Sequence, residues 1–320
     1  MKTIGELYTF YKEALVPKLK EIDKKRIITL VEICIVSIIT AVLLAWLFMI
    51  LNGDGELDKS DGKLLTFIAV VGISICGIIR ASYSSKFKVE IIREIAEFMD
   101  DSFTYSSERK VDSLSLGKCD LFNFEDASGE DLITGKTNQN IEFEYSSIKL
   151  EKGSGKNKRT VFLGSFFSAD FNKNFSGKTV VLPDFAEKRF GAVGKWMQSM
   201  NRSNGELVKL EDPEFEKMFA VYGSDQIEAR YILTPGMMRR IIDFAKKMDK
   251  KIFVSFVDSK MYIAISNGQG LFEPRLLKSI VNFDDIQKYY ENFKFVLDIV
   301  DEFSLNTQLW KNNITEDLSL

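Results

Sequence analysis

Ile27–Leu51 reads IITLVEICIVSIITAVLLAWLFMIL, and Leu64–Ile79 reads LLTFIAVVGISICGII. The first stretch holds 25 residues, and its ionisable groups are Glu32 and the Cys34 thiol; the second holds 16 and carries no charged residue. A helix rises about 1.5 Å per residue, so the first gives roughly 37 Å, enough to cross a hydrocarbon core of about 30 Å with some tilt. The second gives about 24 Å. It completes a span if Lys63 and Arg80 snorkel outward and Ala81–Tyr83 form the interfacial end. Neither stretch keeps a polar face for water, which argues against a buried helix pair in a soluble body. The pair reads as a transmembrane hairpin over residues 27–83, with spans 27–51 and 64–80 and an outer loop 52–63. Gly72, Gly77, Ser74 and Ala69 put small residues along the second helix, where the first can approach closely.

The flanks set the orientation. Lys24, Lys25 and Arg26 precede the first span, and Arg80, Lys86 and Lys88 follow the second. The loop between them carries Asp54, Glu56, Asp58 and Asp61 against Lys59 and Lys63. The positive-inside rule then places both termini in the cytoplasm. The loop lacks the spacing of a twelve-residue calcium loop and reads as a solvated turn. Glu32 lies near the end of its span and reads as an interfacial carboxylate beside the basic flank rather than as an ion ligand. Residues 1–26 form an amphipathic lead with Ile4, Leu7, Tyr8, Tyr11 and Leu15 at helical spacing, ended or kinked at Pro17. It either lies on the membrane surface or packs on the cytosolic body.

Beyond the hairpin, residues 84–103 read as a helical stalk with Phe87, Ile91, Ile95 and Phe98 in one stripe. Residues 104–320 read as a cytosolic α+β domain, rich in antiparallel sheet. Val111–Phe124 has loose strand-like spacing. Ile141–Leu150 and Thr160–Phe167 alternate cleanly and form a hairpin around the Gly/Ser/Lys turn. Thr179–Leu182 is a short strand stopped by Pro183, and Ala186–Met200 has helical spacing. Asp212-Pro213 opens a short helix. Phe219–Tyr222 and Ile227–Leu233 look like paired strands, which would put Glu228 and Arg230 on one face. Thr234-Pro235 starts a helix to Met248. Ile252–Val257 and Met261–Ile265 form a second hairpin, and Asp284–Phe303 is the last helix.

The chain of 320 residues has net charge −3 and no histidine. That charge argues against nucleic acid as a partner. Without histidine there is no Ser–His or Cys–His nucleophile and no His-ligated zinc. Cys34 and Cys76 fall in the spans, so Cys119 stands alone in the body and no disulfide framework forms there. Gly155-Lys156 and Gly194-Lys195 fail the phosphate-loop spacing, because Leu150 and Arg189 stand where it needs glycine. A carboxylate-only magnesium site through Asp170, Asp184, Asp225 or Glu228 is the remaining catalytic option. No cofactor is expected.

Several stretches carry a family resemblance: Gly129–Gly135 (GEDLITG), Phe162–Phe175 (FLGSFFSADFNKNF), Gly177–Val180, Leu271–Pro274 (LFEP) and, above all, Asp212–Pro235 (DPEFEKMFAVYGSDQIEARYILTP). Together with Leu15-Val16-Pro17 and the two spans, they make the chain resemble the bacterial membrane-protein family filed as domain of unknown function 3137. The resemblance implies a two-span protein of the bacterial inner membrane with a cytosolic α+β domain, and no activity.

Two function classes follow. One is a membrane-tethered, non-catalytic binding, scaffold or regulatory module that contacts the lipid bilayer and a protein partner or a second copy of itself. Its candidate contacts are Glu130, Asp131, Asp170, Glu228 and Arg230, with Lys24, Lys25, Arg26, Lys156, Lys158 and Arg159 toward anionic lipid. The other is a carboxylate- and metal-dependent enzyme acting on a membrane-associated substrate.

Overall fold

The computed structural model describes residues 2–53, 59–136, 141–171, 175–183, 205–268 and 270–299. They fall into two compact units. One comprises residues 1–95 and 272–289, the other 96–271 and 290–320.

The first unit is helical. Helix α1 (Ile4–Phe10) starts at Thr3, whose hydroxyl accepts from the Glu6 amide while the Glu6 carboxylate accepts from the Thr3 amide, a complete capping box. A π-helical turn, Tyr11–Leu15, leads into α2 (Val16–Gly53). Pro17 has no N–H to donate, and the wider turn just before it lets the helix run on where the sequence suggested an end. The resulting helix is continuous from Ile4 to Leu51. Helix α3 (Lys59–Phe87), a second π-helical turn (Lys88–Ile92) and α4 (Arg93–Met99) form the returning arm.

Leu7, Leu15, Leu19 and Ile22 of the outgoing arm and Phe87, Ile91, Ile92 and Ile95 of the returning arm are all buried. Lys18 pairs with Glu94, and Lys25 with Glu90 at 3.5 Å. The lead extends the first long helix and packs along the stalk. Higher up, a Cβ at Gly72 would overlap the Thr40 side chain, so the two helices touch through a glycine as the small-residue pattern predicts. Gly77 has no such neighbour. The central 18-residue windows of the two arms are 0% and 6% buried. Both helices are long and apolar enough to cross a membrane, by length and composition.

The second unit carries one nine-stranded sheet among the described residues, in the order β1-β2-β3-β4-β9-β8-β5-β7-β6. The strands are β1 (Thr104–Ser106), β2 (Asp126–Lys136), β3 (Glu142–Lys152), β4 (Arg159–Asp170), β5 (Lys178–Pro183), β6 (Glu206–Val208), β7 (Phe219–Gly223), β8 (Lys251–Val257) and β9 (Lys260–Ser266). Every pairing is antiparallel. The β8–β9 turn is two residues, Asp258 and Ser259, at φ 51° and 60°. Both central residues left-handed is the hairpin geometry that matches strand twist.

Both faces of the central strands are buried, which is why β8 and β9 read as near-continuous apolar runs. On one face Ile148, Leu150, Phe162, Phe166, Phe253 and Tyr262 pack under Val111, Leu116, Cys119, Leu121 and Phe122. That covering segment includes α5 (Ser113–Lys118) and is tied down by two hydrogen bonds. The Val111 amide donates to Ser146 Oγ at 3.1 Å, and Ser255 Oγ donates to the Cys119 carbonyl at 2.7 Å. The other face buries Phe143, Tyr145, Phe167, Ile263, Val254 and Phe256. There Tyr105 meets Phe293 of α9 (residues 283–299) at 6.4 Å, and Phe295 of α9 stacks on Phe244. Phe244 belongs to α8 (Pro235–Met248), capped by Thr234.

Two expectations are corrected. Ile227–Leu233 is not a strand but most of helix α7 (Gln226–Ile232). The Asp225 carboxylate accepts from the Ile227 and Glu228 amides at 2.7 and 3.0 Å, and this N-cap decides the conformation. Ala229 and Ile232 are buried while Ile227 is 80% exposed, a helical rather than an alternating pattern. β7 pairs instead with β5 and β6. The loosely strand-like Val111–Phe124 is α5 plus extended cover, and the strand lies just after it as β2. The helix expected over Ala186–Met200 and the last turn of Asp284–Phe303 lie outside the described residues. The helix opened by Asp212-Pro213 is α6 (Pro213–Met218), with Asp212 accepting from Glu214 and Phe215.

Candidate functional site

The acidic candidates lie apart on the sheet unit. Asp131 is fully buried at a β-bulge of β2, with φ 62°, and accepts from the Tyr105 hydroxyl at 2.6 Å. Glu130 precedes it, opposite Ser147. Asp170 ends β4 and pairs with Lys260 at 3.2 Å, both side chains well exposed. Glu228 sits in the first turn of α7 and accepts from the Ser176 and Gly177 amides at 3.0 and 2.8 Å. Arg230 reaches the carbonyls of Gln226 and Lys209, each at 3.4 Å. Two residues apart on a helix point to different sides, so Glu228 and Arg230 do not share the face that a strand would give them. Asp225 is the N-cap of α7, and Asp184 lies outside the described residues. Among the described residues no three acids or cysteines come together as a metal site.

A second polar group lines the helix-covered face of the sheet. Tyr145 bonds to Ser165, and Asn267 Nδ2 donates to Ser165 Oγ at 2.6 Å. Burial pushes the Tyr145 phenol up to about 12, with Ser165 opposing and Asp131 adding to the shift. Burial likewise pushes the Cys119 thiol up to about 12. A thiol held in that state is protonated and unreactive at neutral pH.

The basic candidates divide in the same way. Lys156 lies in the exposed turn between β3 and β4, Lys158 pairs with Asp126 and Glu151 at 2.9 and 3.0 Å, and Arg159 is exposed at the start of β4. Lys24 is exposed, and Lys25 meets Glu90. Arg26 is different. It is 8% exposed, its Nε donates to Asp23 at 2.8 Å, and its Nη1 donates to the Leu276 carbonyl at 2.8 Å.

Arg26 belongs to the most elaborated polar group of the helical unit. The segment 272–289 is strapped across the base of the two long helices. Lys88, with a side chain 3% exposed, pairs with Glu273 Oε1 at 2.8 Å, and Ser84 Oγ donates to Glu273 Oε2 at 3.2 Å. The Tyr289 hydroxyl donates to the Glu273 carbonyl at 3.1 Å, and the Tyr289 ring packs at a tilt against Phe87 and Phe272. Burial raises the Tyr289 phenol far above its ordinary range, with Asp285 adding to it. Asp23 Oδ1 accepts from the Ile280 amide at 3.1 Å. Burial would raise the Asp23 carboxyl, but bonds from Arg26 and the Ile280 amide outweigh it and hold the group below the usual range. Phe283 packs edge-on against Tyr8 and Tyr11.

Sequence reasoning picked out Arg26 here but not Asp23, Ser84, Lys88, Glu273 or Tyr289. One signal was available: Glu273 stands in the LFEP motif that carries the family resemblance. The group holds buried charge without a catalytic geometry: one ammonium neutralised by one carboxylate, and one guanidinium neutralised by another. What it does is fix a loop to a helix pair.

Among solved structures, the crystal structure of the mycobacterial trehalose monomycolate transport factor A, TtfA, is similar at 10% identity and a TM-score of 0.34, covering 64% of this chain and 92% of that one. No curated protein matches. Residues 160–305, a little under half of the chain, match the family model described as "Protein of unknown function (DUF3137)", which supports the resemblance to that family.

Proposed function

We propose that this chain is a membrane-tethered, non-catalytic binding module. In this reading α2 and α3 cross the bacterial cytoplasmic membrane, both termini are cytoplasmic, and the sheet unit is held at the membrane to bind a protein partner or a second copy of the chain. One observation carries the tether. The central windows of the two apolar helices are 0% and 6% buried, with Ile38 62%, Met49 75% and Ile73 72% exposed. A contiguous apolar surface of that kind on two long helices needs lipid to cover it.

The non-catalytic half is supported by what the candidate groups already do. Glu228 is spent on two backbone amides, Asp170 on Lys260, Asp131 on Tyr105, and the Cys119 thiol is buried. A tether raises the effective concentration of a module for membrane-bound partners without any new contact. The orientation is tested by an impermeant thiol reagent on intact cells carrying Lys59→Cys. The reading expects labelling at position 59 without permeabilisation; labelling that requires permeabilisation would reverse the topology. The choice between binder and enzyme is tested by alanine at Asp170 or Glu228. A divalent-metal-dependent turnover lost in either variant, with the fold intact, would replace the binding reading by the enzyme one.

A further inference from the structure

We propose that the loop Arg275-Leu276-Leu277-Lys278 is a third membrane contact, in which Leu277 inserts into the cytoplasmic leaflet while Arg275 and Lys278 meet anionic lipid headgroups. The proposal rests on the reading that α2 and α3 span the bilayer.

The level of the loop follows from its bonds. Arg26 is the residue immediately before the first span, and its Nη1 holds the Leu276 carbonyl at 2.8 Å. Leu276 therefore lies within the reach of an arginine side chain from the mouth of the span. The two ends of the loop are tied to the same stretch of the helices. Glu273 is bound to Ser84 and Lys88, and the antiparallel register of the two arms, with Ser37 beside Cys76 and Lys25 beside Glu90, puts both within about one helical turn of the level of Arg26. Ile280 is tied through its amide to Asp23, three residues or about 4.5 Å before Arg26. The loop is thus held at the level of the helical turns that lead into the first span.

The side chains fit that path. Ile280 is 4% exposed, whereas Leu277 is 88% exposed. Arg275, which pairs with Asp285 at 3.5 Å, and Lys278 on either side are exposed as well. A single exposed leucine is ordinary on a protein surface. This one stands level with the start of an apolar span, between two cations, on a loop fixed by the Lys88–Glu273 pair and by hydrogen bonds to Arg26 and Asp23. An apolar tip with basic flanks is the chemistry that recognises an anionic bilayer surface, and proximity adds favourable energy for each cation near such a surface.

The test uses the full chain reconstituted in vesicles of equal parts phosphatidylcholine and phosphatidylglycerol, with a benzophenone amino acid placed singly at position 277, 38 or 4. Position 38 lies in the middle of the first span. Position 4 is also exposed and apolar, at 54%, and sits on the same continuous helix roughly 34 Å from Ile27. After irradiation, mass spectrometry should find lipid adducts at 38 and 277 and none at 4. The adducts at 277 should favour phosphatidylglycerol, and Arg275→Gln with Lys278→Gln should abolish that preference. Adducts at 38 with yield at 277 no higher than at 4 would overturn the loop proposal and leave the spans standing. Absence of adducts at 38 would overturn the spans themselves, and the loop contact with them.

Discussion

Replacing Glu273 by alanine should loosen the strap across the helical unit more than replacing its partner Lys88 by methionine. The Lys88 side chain is 3% exposed and that of Glu273 39%, with 2.8 Å between them. Removing one member of a fully buried pair costs about 3–5 kcal/mol, because the other is left as an uncompensated charge. Water reaches Glu273, so part of that cost is already screened, and about 2–3 kcal/mol is the appropriate scale for Glu273→Ala. Lys88→Met removes the buried charge itself and keeps the apolar stem, while the stranded carboxylate can hydrate. Its cost should be about 1 kcal/mol or less. The double variant should then resemble Lys88→Met rather than the sum. Unfolding of the reconstituted chain reads the three energies, and hydrogen exchange over residues 272–282 reads release of the strap. If Glu273→Ala and Lys88→Met agree within about 0.5 kcal/mol, or if the double variant is the least stable, the buried-charge reasoning is wrong.

Two further outcomes test the sheet unit and the acid or base that matters there. In α7, Ile227→Glu should change stability by no more than about 0.5 kcal/mol, whereas Ile232→Ala should cost about 2–4 kcal/mol in equilibrium unfolding; the reverse order would restore the strand. Cys119 has a folded pKa raised from 9.0 to about 12 by burial. Its contribution to stability is therefore complete below about pH 9 and is lost as pH rises toward 12. A soluble thiol reagent at neutral pH should leave it unmodified until denaturant is added, and Cys119→Ala should flatten the alkaline limb of the stability curve.

The two units differ in how much of them is legible in sequence. The long helices are legible because Ile27–Leu51 is apolar with Glu32 as its one carboxylate, a signal that no tertiary contact has to complete. The β8–β9 hairpin and α8 are legible for local reasons: a two-residue turn at Asp258-Ser259, and Thr234-Pro235 as cap and first turn. Helix α7 was missed because seven residues are too few to separate a period of 3.6 from a period of 2, and Ile227, Tyr231 and Ile232 favour strands by type. The Asp225 cap was the better guide. β2 was hidden by its bulge, which inserts an extra residue between Glu130 and Ile133 and so brings Ala127 and Leu132 to one face, where regular alternation would separate them. The strap was beyond sequence reasoning of this kind. Lys88 and Glu273 are separated by most of the chain, and charge alone does not say which of 46 acidic residues a lysine will find.

The same contrast bears on the candidate site. Arg26 was chosen as one of three basic residues flanking a span, and Lys24 beside it is exposed as a solvated flank would be. Arg26 is instead buried between Asp23 and the Leu276 carbonyl. Its sequence neighbourhood marks the start of the apolar run, while its role as a clamp depends on a loop some 250 residues later.

The central claim is that α2 and α3 are integral to a bilayer. It is tested most directly by washing membranes from cells expressing the full chain with alkaline carbonate and following the chain by sedimentation. The account predicts that it stays with the membrane pellet and enters the supernatant only when detergent is added. Release into the supernatant by carbonate alone would contradict it.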